Sequence, residues 1–101
     1  MMKKIVLLCS AGLSTSMLVE KMKVAAKEMN LECEISAHPI SAAASEGGSA
    51  DVVLLGPQVR FQVDAVKEKV TCPVEAIDMT AYGMMNGEAV IKRAYELIEG
   101  E

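Results

Sequence analysis

Cys9 is followed by Ser10-Ala11-Gly12-Leu13-Ser14-Thr15-Ser16, a run of almost entirely small side chains in which four residues carry hydroxyls. Small side chains let a loop wrap tightly enough for successive backbone N–H groups to converge on an anion, most readily at a helix N-terminus. No Lys or Arg lies within the run, so compensation of a bound charge falls to backbone donors, the helix dipole and the hydroxyls of Ser10, Ser14, Thr15 and Ser16. A cysteine facing such a positive field is a competent nucleophile. Together the two properties point to phosphoryl transfer through a phosphocysteine. The plainer account also fits: a cysteine closing a buried strand serves as a small hydrophobe, and Ser or Thr before a helix serves as an N-cap. The nucleotide-binding patterns G-x-x-x-x-G-K-[ST] and G-x-G-x-x-G are both absent.

The elements that must position Cys9 follow from hydrophobic periodicity. Lys4 to Leu8 and Asp51 to Leu55 are near-continuous aliphatic runs, the pattern of central strands covered on both faces. Glu32 to Ala37 alternates, with Cys33, Ile35 and Ala37 on one side, and Pro73 to Ile77 opens on a proline; both suit sheet edges. Leu18, Met22, Ala25, Ala26 and Met29 recur at helical spacing and predict a helix over Ser16 to Met29, with Lys21, Lys23 and Lys27 on its solvated face. Helices are also predicted over Gln58 to Lys69, after Gly56-Pro57, and over Glu88 to Ile98, after Asn86-Gly87, with at most a brief helix over Ser41 to Glu46. Alternating strands and helices imply right-handed βαβ units, a parallel sheet and helices on both faces. Putting the two buried strands in the centre gives the order 2-1-3-4. The chain then reverses direction between strands 1 and 3, where open α/β sheets bind ligands at the strands' carboxyl ends, and Cys9 stands there.

Composition bounds the alternatives. At 101 residues the chain has room for one domain, 1–101, and 51% hydrophobic with 24% charged residues is ordinary for a globular fold. Ten Lys and Arg against 14 Asp and Glu give a net charge of -4, and the aromatics are only Phe61, Tyr82 and Tyr95, which argues against a nucleic-acid binder. The basic Lys3-Lys4 precedes only a five-residue apolar run, Ile5 to Cys9, too short for a signal core or a spanning helix, so a cytoplasmic location is expected. Three cysteines fit neither a disulfide framework nor a zinc ribbon. Cys33 and Cys72 fall at the amino ends of their strands, about 17 Å from the carboxyl ends and beyond disulfide reach of Cys9, which counts against thiol redox chemistry.

The opening Lys-Lys-Ile-Val-Leu-Leu-Cys-Ser-Ala-Gly-Leu-Ser-Thr-Ser-Met-Leu-Val resembles the start of IIB components of the lactose/cellobiose (chitobiose) type in the bacterial phosphoenolpyruvate-dependent sugar phosphotransferase system. Ala50 to Val59, with Gly56-Pro57-Gln58, then Pro73 to Asp78 and Tyr82-Gly83, resemble that family's later segments at similar spacing, so most of the chain is covered. The resemblance implies a single IIB domain with a three-layer architecture like flavodoxin and the low-molecular-weight phosphatases. It implies that Cys9 takes a phosphoryl group from a phosphohistidine of the IIA component and passes it to a sugar, of the β-linked disaccharide kind, imported by the membrane IIC component. Ser10, Ala11, Gly12, Leu13, Ser14, Thr15 and Ser16 match the family's phosphate-binding loop. Such a relay calls for neither a cofactor nor a metal, and would meet the inner face of the membrane only transiently, through IIC.

Phosphatases and arsenate reductases with a C-x5-R-[ST] loop are the second reading, but the arginine position is Thr15 here, and the bidentate clamp on the transferring group is lost. Gln58, Asp78 and Tyr82 follow strands 3 and 4 and border the expected site, although helix initiation, turn formation and packing account for them equally. His38, the only histidine, lies just after strand 2 and would make a cysteine–histidine pair only if it faced Cys9. The eight methionines, Met79, Met84 and Met85 among them, serve either as core or as an adaptable docking surface.

Overall fold

The computed structural model describes residues 2–10 and 12–100, and for residues 12–14 the backbone only. Four parallel strands, β1 (Lys3–Cys9), β2 (Cys33–Pro39), β3 (Val52–Leu55) and β4 (Val74–Ala76), form one sheet in the order β2-β1-β3-β4. The two aliphatic runs are the central strands: Ile5 to Leu8 and Val52 to Leu55 are all at most 2% exposed. The alternating strand and the proline-led strand are the edges, as their patterns require.

Alternate residues of β1 feed two cores. Ile5 and Leu7 join Ile35, Val52 and Leu54 under α1 (Gly12–Glu28) and α5 (Gly87–Ile98). Val6 and Leu8 join Val53, Leu55, Val59, Val66 and Val74 under α2 (Ala43–Gly47) and α3 (Val63–Lys67) on the opposite face. Burial of each large aliphatic side chain stabilises by about 1.5–3 kcal/mol, so both faces hold the sheet strongly. The three-layer arrangement follows from a sheet that is apolar on both sides.

The helices differ from expectation in three places. α1 begins at Gly12, four residues before Ser16, because its buried stripe starts with a polar residue: Thr15 is fully buried in line with Leu18, Val19, Met22, Ala25 and Ala26. Apolar periodicity alone starts the stripe at Leu18. The stretch after Gly56 is not one helix from Gln58 to Lys69. A 3-10 segment over Pro57–Gln62 runs into α3, and Val59 departs from helical geometry at φ -116° and ψ 20°. Pro57 and Val59 are both buried. Two residues apart, they would face opposite ways on a regular α-helix, so the backbone kinks to bury both.

The third difference is an extra helix, α4 (Met79–Gly83), started by Asp78, whose carboxylate accepts a hydrogen bond from the Ala81 N–H at 3.0 Å. Only Tyr82 of α4 is buried, so a helix this short leaves no periodic signature. Asn86 caps α5 in the same manner, accepting from the Ala89 N–H at 3.1 Å. α5 packs directly on the backbone of α1, since a Cβ on Gly87 would come within 2.5 Å of the Lys21 carbonyl oxygen.

Candidate functional site

Cys9 ends β1, and α1 starts at Gly12. The first N–H groups of a helix have no acceptor within it, so the opening turn of α1 brings donors and the positive end of the helix dipole to the carboxyl edge of the sheet beside the cysteine. Cys9 is 3% exposed, so its side chain is recessed below the surface at this edge. Across the β1/β3 seam, the Gly56 N–H donates to the Leu8 carbonyl at 2.8 Å, which sets Gly56 beside Cys9. A Cβ on Gly56 would stand 3.6 Å from the Cys9 Cβ and 3.0 Å from Gln58 Oε1. The missing side chain leaves the space beside Cys9 unfilled, and the Gln58 carboxamide oxygen folds back toward it.

Behind the recess, the hydroxyls of Thr15 and Tyr82 share a buried hydrogen bond at 3.1 Å. It ties the first turns of α1 to α4 across 67 residues of sequence. Thr15 occupies the position six residues after Cys9, and its hydroxyl is engaged with Tyr82. Ser10 and Ser16 are exposed at the same end. Ala11 lies outside the described residues, as do the side chains of Gly12, Leu13 and Ser14. Gln58 and Tyr82 line one open groove, of about 220 Å³, with Pro57, Arg60, Met79 and Gly83. Asp78 lies at the start of α4, its carboxylate engaged in the cap.

His38 is not brought to Cys9. It pairs in register with Leu8, whose side chain belongs to the α2/α3 face, whereas Cys9 alternates with Leu8 onto the α1/α5 side. Its Nε2 lies 3.0 Å from Ser36 Oγ and 3.5 Å from Glu46 Oε1 of α2. Register also separates the other thiols: Cys9 pairs with Pro39 and Cys33 with Lys3, six residues down the same pair of strands. Burial pushes the Cys33 and Cys72 thiols up from the usual range. Among the described residues no cluster of His, Cys, Asp and Glu could hold a metal ion.

Arg60 carries no motif signal, because it lies outside the Cys9 loop and inside a predicted helix. Its signal is its isolation: segments 10–16, 40–47, 56–62 and 77–86, which leave the carboxyl ends of the strands, contain no lysine and one arginine.

A parallel sheet with a cysteine at its switch point, set directly before a helix N-terminus, defines a class of α/β proteins built to handle an anion at a thiol. Family comparison narrows the class. The model described as PTS system, Lactose/Cellobiose specific IIB subunit matches residues 4–93, and the chain belongs to that family. It is 42% identical over 100 residues to the oligo-beta-mannoside-specific EIIB component of Bacillus subtilis (strain 168), covering 96% of this chain and 97% of that protein. It is 40% identical over 104 residues to the galactose-specific EIIB component of Lactococcus lactis subsp. cremoris (strain MG1363), with 95% and 96% covered.

Among solved structures, the cellobiose-specific IIB component of Borrelia burgdorferi aligns with a TM-score of 0.80 at 35% identity, over 98% of this chain and 94% of that one. The lactose-specific IIB domain of Streptococcus pneumoniae aligns with a TM-score of 0.81 at 17% identity, over 96% and 98%, and shares the fold. The protein is thus an EIIB component of the sugar phosphotransferase system, and a phosphotransferase. Among the described residues no helix is long and apolar enough to cross a membrane.

Proposed function

We propose that this chain, acting as one domain over 1–101, carries phosphoryl groups on Cys9. The observation that carries the reading is the position of Cys9: the last residue of a central strand, at the sheet's switch point, three residues before the start of a 17-residue helix. An EIIB component works with IIA and IIC partners, and in this reading a phosphohistidine of IIA is the donor. The Cys9 thiolate attacks phosphorus in line, the P–S bond forms as the P–N bond breaks, and the departing imidazole keeps the electron pair and takes a proton from solvent. In the second transfer a hydroxyl of the sugar held by IIC attacks phosphorus, the P–S bond breaks, the thiolate leaves, and the hydroxyl proton passes to solvent or a base of IIC.

Backbone N–H groups over Ser10 to Ser16 would hold the equatorial oxygens during both steps. The hydroxyls of Ser10, Ser14 and Ser16 would add side-chain donors, while the Thr15 hydroxyl is bonded to Tyr82. Gln58 and Tyr82, which share a groove beside α4, would border the site, and Asp78 would contribute by starting α4. Two of the relatives' names, oligo-beta-mannoside and cellobiose, support a β-linked saccharide of the disaccharide kind as the sugar, while the third, galactose, names a monosaccharide. The reading places the protein in the cytoplasm, meeting the membrane only through IIC.

The test incubates the protein with phosphoenolpyruvate, the general phosphotransfer proteins and a IIA component shown to be phosphorylated, then maps the phosphate. Label on Cys9 that disappears in Cys9→Ser is the expected result. Undiminished labelling of Cys9→Ser would refute the assignment.

A further inference from the structure

The Cys9 recess faces an electrostatic deficit. A phosphoryl group on sulfur brings up to two negative charges to a chain whose net charge is already -4, and no cation lies in the loop around it. In the four segments that leave the carboxyl ends of the strands, the single Lys or Arg is Arg60. Its guanidinium lies in the groove of about 220 Å³ with Gln58 and Tyr82, and both neighbours lead back to the cysteine. Gln58 folds over Gly56, which abuts Cys9, and Tyr82 is bonded to Thr15 of α1.

The guanidinium is held loosely. Nη1 donates to the Pro57 carbonyl at 3.3 Å and approaches Met79 Sδ at 3.9 Å, both long contacts that are readily exchanged. Among the described residues Arg60 has no carboxylate in ion-pair range. The two acids of those segments are engaged elsewhere: Glu46 lies 3.5 Å from His38, and Asp78 accepts from Ala81. An arginine offers five donors in a planar fork that matches phosphoryl oxygens, so most of its capacity is available for an anion. The Pro57 contact places the guanidinium against the residue that follows Gly56.

We propose that Arg60 is a phosphoryl-binding residue: it leaves Pro57 and Met79 to engage the oxygens of the group on Cys9, supplying from the β3–α3 connection the cation that the β1–α1 loop lacks. The inference rests on the Cys9 carrier reading and deepens it. Because Arg60 reaches in from a separate element, it can hold the anion during transfer and withdraw as the group departs. Phosphatases of the C-x5-R-[ST] type instead fix their arginine in the loop itself.

The experiment uses the full chain with phosphorylated IIA and compares wild type with Arg60→Gln, Arg60→Lys and Lys27→Gln, the last removing the same charge from the far end of α1. Two quantities are read: the rate of phosphoryl transfer to Cys9 at low and high salt, and the ³¹P titration of the phosphocysteine. With Arg60→Gln the rate should fall about tenfold, the usual scale for loss of one charge-assisted contact, and its salt dependence should weaken. The phosphocysteine should titrate at higher pH, because a nearby cation favours the dianion. Arg60→Lys should recover part of both effects and Lys27→Gln should show neither. Wild-type behaviour of Arg60→Gln in rate, salt dependence and titration, with Cys9 labelled, overturns the Arg60 proposal alone. Absence of label from wild-type Cys9 overturns the carrier reading and this proposal together.

Discussion

The hydroxyls of Thr15 and Tyr82 meet at 3.1 Å in a buried hydrogen bond that fastens the start of α1 to α4. Thr15 is completely enclosed, so its hydroxyl cannot exchange Tyr82 for water without opening the site. Tyr82→Phe removes one partner and should destabilise the fold by about 1–2 kcal/mol in urea unfolding. In a double-mutant cycle with Thr15→Val the two losses should be strongly non-additive. Strict additivity would show that the contact carries no coupling.

Gly56→Ala separates chemistry from stability. Gly56 has φ -58° and ψ 147°, which alanine adopts freely, so the backbone asks for no glycine. The added methyl would meet Gln58 Oε1 at 3.0 Å and the Cys9 Cβ at 3.6 Å; the first contact must shift and the second is ordinary. Stability should change by less than about 0.5 kcal/mol, while phosphoryl acceptance slows roughly tenfold as the recess narrows and Gln58 is displaced. Equal transfer rates in the two proteins would remove Gly56 and Gln58 from the rim of the site.

How much of this was legible beforehand depends on where the signal resides. Ile5 to Leu8 and Val52 to Leu55 announce central strands because an element buried on both faces has no polar positions, and the sheet order and the place of Cys9 follow from them. α1 is misread at its start because Thr15, a polar residue, heads the buried stripe and bonds to Tyr82, 67 positions away. α4 is invisible because it is five residues long and buries one of them, Tyr82, which leaves no periodic pattern. Arg60 is overlooked for a topological reason: it shares a groove with Gln58 and Tyr82 only because the β3–α3 connection folds against α4, which a local motif does not record.

Cys33 and Cys72 should be dispensable for transfer. Both thiols are pushed up chiefly by burial, and Cys33 lies at the opposite end of β2 from the residue paired with Cys9. The double variant Cys33→Ser, Cys72→Ser should accept one phosphoryl group per chain at the wild-type rate, measured by intact-mass analysis after incubation with phosphorylated IIA. A substoichiometric yield from a folded double variant would mean that a second thiol takes part.

Gly87→Ala should weaken the α1–α5 contact more than any surface substitution. The new Cβ would sit 2.4 Å from the Lys21 carbonyl carbon and 2.6 Å from the Met22 nitrogen, backbone atoms that cannot rotate away. Separating the helices should cost about 1–3 kcal/mol. Gly83→Ala is the matched control, since a Cβ there meets nothing within 4 Å, and helix propensity should leave it neutral or more stable by up to about 1 kcal/mol. Thermal and urea unfolding of the two variants should diverge in sign.

The Glu75–Arg93 pair joins edge strand β4 to α5 through two hydrogen bonds of 2.8 Å, and Arg93 also reaches Glu96 at 3.0 Å. The hydrogen bonds from Arg93 hold the Glu75 carboxyl below the usual glutamate range. With its folded-state value depressed, Glu75 stabilises the protein above its unfolded value of about 4.3, and the contribution is lost as pH falls through the lower folded-state value. Arg93 is charged throughout that window. The stability difference between wild type and Glu75→Gln should therefore be constant from about pH 6 to 8 and shrink progressively below about pH 4. The pair is half-exposed, with side chains 36% and 44% accessible, so the plateau should be small and should diminish in high salt. Urea midpoints at pH 7 and pH 3, each at low and high salt, test both parts: a difference that survives at pH 3 would place its origin in packing against β4, not in the charge.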